Sequence, residues 1–455
     1  MRTVRILLKV LFVLATVVAC TRAPATQVPV APTDTTAPDP TATPEPTAVP
    51  EPVEITFLYH DTVVETPGYE AQIEAANKLL EQQGKNIHIV GMPATGNWPE
   101  YHQKFLAQLA AGQSPDILNI AESQMPSLIA KGHAMELTPL LDQIDQSKYF
   151  ETTFQSAGLQ DGKYYGLPSK LVYLVMYYNK NLFDKAGLAY PSGDWDNPIT
   201  FDELRTLAKQ LTEGEGGNKT FGLYIMPYMG YAGMYARANG GTGVAYEDKT
   251  CALTEPASLE VYNWFDGVYR IDKSAPTPQD QAVIRGFELF KTGRIAMYID
   301  GNWFQPQFNA IEDFEIGIAS LPAGSSGNAY TMMFVNNWFI SKGSKHQSEA
   351  WEALKALFSQ ESWTALAELS AGGIPIHRDV YETFHDQWLG PQYADDDRRA
   401  FLDAIEHGMT MPYDEHYAEI DNEVNQTLSE WLNGDITAEA YAQRVCETWN
   451  EAWGK

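Results

Sequence analysis

From residue 54 onward the chain repeats one pattern, a short apolar run followed by an amphipathic stretch of helical period, and this alternation predicts an α/β fold. Ile55-Thr56-Phe57-Leu58-Tyr59 reads as a strand, Tyr69, Ile73, Ala76 and Leu80 share one helix face, and Ile87-His88-Ile89-Val90 reads as the next strand. Phe105, Leu106 and Leu109 mark a second helix, Asp116 to Ile120 a strand, and Met125 to Lys131 a helix closed by Gly132. Thr200 with Glu203 is a capping-box signature, followed by an apolar stripe of Leu204, Leu207, Ala208 and Leu211. Ile295 to Ile299 and Glu315 to Ala319 read as later strands, and Trp351, Leu354, Leu357 and Phe358 line a later helix. The stretch from Tyr417 to Trp453 is helical, with Leu428, Trp431 and Leu432 before Gly434, then Ala440, Tyr441, Val445 and Trp449.

What precedes this body cannot build a core. Arg2, Arg5 and Lys9 followed by the apolar run Val10 to Val18 form an export signal, predicted over residues 1–19. Val17-Val18-Ala19-Cys20 resembles a bacterial lipobox, which implies lipidation of Cys20 and a membrane tether through its acyl chains. Residues 20–53 then read as that cysteine and a spacer, with nine Pro, eight Thr and six Ala among the 33 residues from Thr21 to Val53. Such a composition favours extended polyproline II, reaching on the order of 100 Å. The formal charge of -28 argues against nucleic acid as partner, because phosphate binding needs a surplus of Lys and Arg.

Asp161-Gly162-Lys163-Tyr164-Tyr165-Gly166-Leu167-Pro168, with Tyr178-Asn179-Lys180-Asn181-Leu182-Phe183 ten residues on, resembles the extracellular solute-binding proteins of ABC importers, the sugar-binding group that includes maltose-binding protein. Ser114-Pro115-Asp116-Ile117, Thr200-Phe201-Asp202-Glu203-Leu204, Gly293-Arg294-Ile295-Ala296-Met297 with Gly301-Asn302-Trp303, and Gly372-Gly373-Ile374-Pro375 follow in the same order. The resemblance implies a two-lobed periplasmic-binding-protein-like fold (type II), its ligand cleft between lobes joined by crossover hinges that close on the ligand. Residues 54–170 would begin lobe one, 171–337 lobe two, 338–372 would return to lobe one, and 373–455 would pack as helices mainly on lobe two. It also implies a sugar as ligand, importer permease subunits as partners, a monomer, and neither catalysis, cofactor nor metal.

A pyranose presents an apolar C–H face and a rim of hydroxyls, so its site needs flat rings and planar polar side chains. His60 and Asp61 follow the first strand, and Glu122 and Ser123 follow the Asp116 strand, at the strand ends where open α/β sheets place ligands. Ser123 could equally cap a helix, and Asp61 could be a solvated turn residue. Trp98 is a candidate stacking ring. Tyr228, Tyr231 and Tyr235 would share a helix face, a spacing that also suits a core; Pro227-Tyr228 matches the position of a ligand-stacking tyrosine in the maltose-binding group, with Met226 replacing an acidic residue there. By the same resemblance Trp303 is the aromatic platform after the Gly-x-Trp turn, Asn337 and Trp338 lie at a crossover, Arg378 follows the Gly372-Gly373 turn, and Tyr173 belongs to the expected set.

Cys251 and Cys446 stand 195 residues apart, which leaves their pairing open. Asp395-Asp396-Asp397, followed at once by Arg398 and Arg399, reads as a solvated acidic loop rather than a calcium site. None of the local signatures of serine hydrolases, zinc proteases or phosphate loops is present. A secreted glycoside hydrolase or a glycan-binding adhesin are the alternatives.

Overall fold

The structure, a computed structural model, describes residues 51–455 apart from 63–64, 97, 157, 247, 370–373 and 412. The export segment, Cys20, the spacer through residue 50 and the Gly372-Gly373 turn lie outside the described residues. No helix among the described residues is long and apolar enough to cross a membrane.

The chain opens with β1 (Val53–Asp61), α1 (Thr66–Gln82), β2 (Ile87–Thr95), α2 (Trp98–Ala110) and β3 (Ile117–Ile120). β1 pairs in parallel with β2 on one side and β3 on the other. Asp116 fixes the start of β3. One carboxylate oxygen accepts from the Thr56 N–H at 2.9 Å and the Thr56 hydroxyl at 2.7 Å, and the other accepts from the Ser344 hydroxyl at 2.6 Å. The Asp116 N–H in turn donates to Thr56 Oγ1 at 2.9 Å, so this buried carboxylate is fully occupied by groups that also set the β1–β3 register. Pro67 sits in the first turn of α1, where a missing N–H costs nothing, and Tyr69, Gln72, Ala76 and Leu80 form the buried stripe.

The centre is β4 (Leu167–Asn179), thirteen residues that are all buried. With β5 (Phe221–Tyr224), β6 (Ile295–Gly301) and β8 (Thr331–Ile340) it completes one sheet, in the order β2-β1-β3-β8-β4-β6-β5, with β7 (Ile316–Ala319) paired to β4 off this path and α3 (Met229–Ala238) following β5. β4 changes partners midway: Leu167 to Tyr173 run antiparallel to β8, whereas Leu174 to Asn179 run antiparallel to β6 and β7. At the handover Thr331 continues the ladder with its side chain, Oγ1 accepting from the Leu174 N–H at 2.9 Å and donating to the Leu174 carbonyl at 2.7 Å. An isolated bridge from Leu171 to Ile374 brings a third segment across the same place.

The later helices include α4 (Tyr417–Asn433), ended by Gly434 at φ 92°, and α5 (Ala438–Ala452), whose first turn is capped by Thr437. The pairing that the sequence left open is present: Cys446 on α5 is bonded to Cys251 in the short strand Thr250–Ala252, with 5.3 Å between Cα atoms. The acidic run is not a loop. Asp395–Leu402 is a helix, and Asp397 is buried, accepting from Lys180 Nζ at 2.8 Å, the Ile318 N–H at 2.8 Å and the Ala394 N–H at 3.1 Å. A carboxylate in a first helical turn is favoured by the helix dipole, which the composition of a three-aspartate run does not reveal.

Replacing Cys251 and Cys446 together by alanine should lower the unfolding free energy by about 5 kcal/mol, because the unfolded chain is released from a loop closed over 195 residues. Urea unfolding of parent and variant measures the difference, and an unchanged midpoint would show that the bond adds no stability.

Candidate functional site

A cavity of about 660 Å³, within the range that takes small-molecule ligands, opens over the middle of the sheet. Its floor is set by strand alternation. Lys170 and Val172 project from one face of β4, and Asn336 and Phe334 lie opposite them in register on β8.

The walls come from elements that end at this point. Tyr101, fully buried on α2, donates from its hydroxyl to the Asn119 carbonyl at 2.6 Å and packs edge-on against Trp98 one turn earlier, 5.6 Å between centroids. That anchoring brings Trp98 to the cavity beside His60, whose ring lies 4.4 Å from it. Glu122 and Ser123 enter from the 3₁₀ turn after β3. On the other side Tyr228, Tyr231, Phe334 and Trp303 form a chain of ring contacts with centroids 5.5 to 6.0 Å apart, and Phe304 extends it. Trp303 follows β6 through a tight turn, and a Cβ added at Gly301 would lie 2.0 Å from its indole, so that position must be glycine for the ring to fold back where it does. Tyr417, Asp421 and Asn425, spaced i, i+4, i+8 on α4, give the cavity a third side together with Tyr413.

Several charges in this wall are withdrawn from water and held by specific partners. Lys170, 3% exposed, pairs with Glu65, the residue before α1. His60 Nε2 donates to the Gly96 carbonyl at 2.6 Å, which leaves Nδ1 facing Glu65 Oε2 across 3.8 Å. Glu122 accepts the Val335 N–H of β8 at 2.6 Å through Oε2. Burial pushes its carboxyl up to about 8, only partly opposed by that hydrogen bond. Asp421 is likewise raised by burial, against hydrogen bonds from Asn425 and Tyr417.

Of the residues expected from sequence, His60, Trp98, Glu122, Ser123, Tyr228 and Trp303 line this cavity. The other five lie outside its walls. Asp61 accepts from the Thr66 hydroxyl at 2.6 Å at the entry to α1. Tyr173 and Asn337 are one residue out of phase with the floor positions Val172 and Asn336. Alternation sends both into the interior, where the Tyr173 hydroxyl donates to the Phe401 carbonyl at 2.6 Å and Asn337 Nδ2 donates to the Val335 carbonyl at 3.1 Å. Trp338 is fully buried, stacked on Trp363 at 5.7 Å and edge-on to Phe57 at 5.8 Å. Arg378 donates to the Tyr149 carbonyl at 2.9 Å and covers the Phe150 ring. Sequence reading missed Lys170, Asn336 and the α4 face. Burial of β4 and β8 on both faces hides the parity that separates Lys170 and Asn336 from their neighbours, and the i, i+4, i+8 run Tyr417, Asp421, Asn425 marks a polar helix face without saying what it packs against.

A ring-walled, polar-floored cleft set where β4 changes partners defines a receptor for a small solute. Residues 67–398 match the family described as bacterial extracellular solute-binding protein, and the chain belongs to that family, whose members are binding proteins. A binding protein of Brucella abortus is 29% identical over 286 residues, 62% of this chain and 67% of that one. A diacetylchitobiose-binding protein of Streptomyces coelicolor is 24% identical over 358 residues, 76% and 79% of the two chains. Among solved structures, an ABC substrate-binding protein of Listeria monocytogenes in complex with cycloalternan superposes with a TM-score of 0.76 at 23% identity, covering 89% of this chain and 99% of that one. Maltose-bound MalE3 of T. maritima gives 0.71 at 20% identity, covering 88% and 100%. The fold is therefore the two-lobed α/β architecture that the motifs led us to expect.

The Glu122 carboxyl keeps its proton to about pH 8 in the folded chain and releases it near the ordinary 4.5 when unfolded. Between those values the folded state binds the extra proton, so this group lowers stability as pH rises, by up to about 1.4 kcal/mol per unit. Glu122→Gln keeps an acceptor for Val335 and removes the titration. The difference in unfolding free energy between the variant and the parent should therefore grow in the variant's favour from about pH 5 to about pH 8. Parallel pH profiles would refute the assignment.

Proposed function

We propose that this protein captures a sugar outside the cytoplasm and delivers it to the permease subunits of an ABC importer, held to the membrane by lipid on Cys20. The observation that carries the reading is the wall of rings, Trp98 facing Tyr228, Tyr231 and Trp303 across a floor of Lys170 and Asn336. Flat rings suit the C–H faces of a pyranose, and the amide and charged groups suit its hydroxyl rim. Family membership supports the reading, as do the ligands named for relatives, diacetylchitobiose and cycloalternan among them.

β4 and β8 run beneath the cavity and Ile374 bridges to Leu171 of β4, and the expected lobes, divided near residues 170, 337 and 373, would rotate about these segments to close on a bound sugar. A thermal-shift screen over mono- and oligosaccharides identifies the ligand, because binding to the folded state raises apparent stability.

Trp303→Ala should weaken the ligand so found by on the order of 2 kcal/mol, about thirtyfold, with Trp303→Phe retaining part of the affinity. Calorimetric titration with circular dichroism as the folding control is the measurement, and scattering should give a smaller radius of gyration at saturation. Normal folding with unchanged affinity in Trp303→Ala would remove the ring from the site.

Expressed in bacteria with its signal intact, the protein should partition into detergent, and Cys20→Ala should release it or stall its export. Intact mass showing an unmodified Cys20 in the exported chain would end the lipid proposal.

A further inference from the structure

The polar atoms of the cavity wall are unbalanced in one direction. A carbonyl only accepts, so His60 Nε2 carries the proton it gives to Gly96, and in the neutral ring Nδ1 is an acceptor. Nδ1 has no hydrogen-bond partner, and neither has Glu65 Oε2, which faces it at 3.8 Å. Gln307 Oε1 is also unpartnered. Glu122, 5% exposed, gives Oε2 to Val335 and leaves Oε1 without a partner. Among the described residues, these four are all the buried unpartnered side-chain atoms of the wall: His60 Nδ1 and Glu65 Oε2 accept as they stand, Gln307 Oε1 is the accepting end of an amide, and Glu122 Oε1 becomes an acceptor once its carboxyl ionises. The ionisable groups lean the same way: Glu65, Glu122 and Asp421 are carboxyls, the latter two held toward the neutral form by burial, and Lys170 is already paired with Glu65.

An orphaned buried acceptor forfeits its hydration without replacement, so the ligand that fits best is the one that donates most. A sugar hydroxyl donates one hydrogen bond and asks for another in return, and a carboxylate or phosphate donates none. An ammonium donates three and accepts none. Its charge also answers the surplus of carboxyls. Burial keeps Glu122 neutral, and an adjacent cation draws it back to the ionised form, turning Oε1 into a charged acceptor.

We propose that the acceptor-rich wall of His60, Glu65 and Glu122 selects a saccharide bearing a free protonated amine over the same saccharide with that amine acetylated or replaced by hydroxyl. This rests on the sugar reading above and narrows its substrate class. Uronic acids and sugar phosphates are disfavoured by the same count.

The test is calorimetric titration of the full-length protein with glucose, glucosamine, N-acetylglucosamine and glucuronate, and with the β-1,4-linked dimers of the first three. The pH is set at about 6.5, below the ordinary range for an amine. The amine-bearing member of each series should bind at least about tenfold more tightly than its hydroxyl and N-acetyl counterparts, with glucuronate weakest. Glu122→Gln and Glu65→Gln, each checked for folding by circular dichroism, should both shrink that ratio toward one. If the neutral sugars bind and the amines bind no more tightly, or if neither variant changes the ratio, the selection is refuted and the sugar reading stands. If no saccharide in the panel binds, the sugar reading falls and the selection with it.

Discussion

The antiparallel pairing of β4 with β8 carries the rest of the molecule. It joins the parallel strands of the first 120 residues to those that follow, and both strands are almost wholly buried. A pair so enclosed is expected to be apolar on both faces, yet Lys170 and Asn336 sit opposite one another within it. They are tolerated because the face they share opens into the cavity. There Lys170 meets Glu65 instead of hydrocarbon.

Each element that reaches the cavity is held from behind. Asp116 locks β3 to β1, and β3 delivers Glu122. Tyr101 bonds to the backbone of β3, and one turn away Trp98 emerges. Glu122 then bonds to Val335 on β8, so the loop after β3 is tied directly to the strand that crosses the site. A ligand group placed against Glu122 would therefore touch a residue already coupled to the backbone about which the lobes are expected to turn. The arrangement also explains why the wall can keep unpartnered acceptors. Glu65, Glu122 and His60 are fixed by one atom each, and the second atom is left for something else.

Most of the fold was legible because it follows from period. The stripe Tyr69, Ala76, Leu80 on α1, the capping box at Thr200 and Glu203, and the stop at Gly434 all appear where the spacing put them. Site residues at strand ends, such as His60, Glu122 and Trp303, could be read from position alone. Residues inside strands could not. Asn337 and Tyr173 are each one residue from a true cavity position, and in a strand one residue is the difference between opposite faces. A strand buried on both sides shows no alternation to reveal which face is which. Contacts from remote segments were equally hidden: α4 reaches the cavity only through packing, and the bond of Cys251 to Cys446 only through the meeting of a hairpin and α5.

The β4–β8 pairing also bears on when the chain can fold. Tyr173 and Met333 are register partners separated by 333 minus 173, or 160, positions, so the central ladder cannot begin until its second strand has been synthesised. Contacts this distant in sequence are slow to form, since the entropy of closing the loop precedes any reward. Because Lys170, Val172, Phe334 and Asn336 belong to this ladder, the floor of the cavity is completed only when residues far apart in the chain have met, so the cleft is a late product of folding.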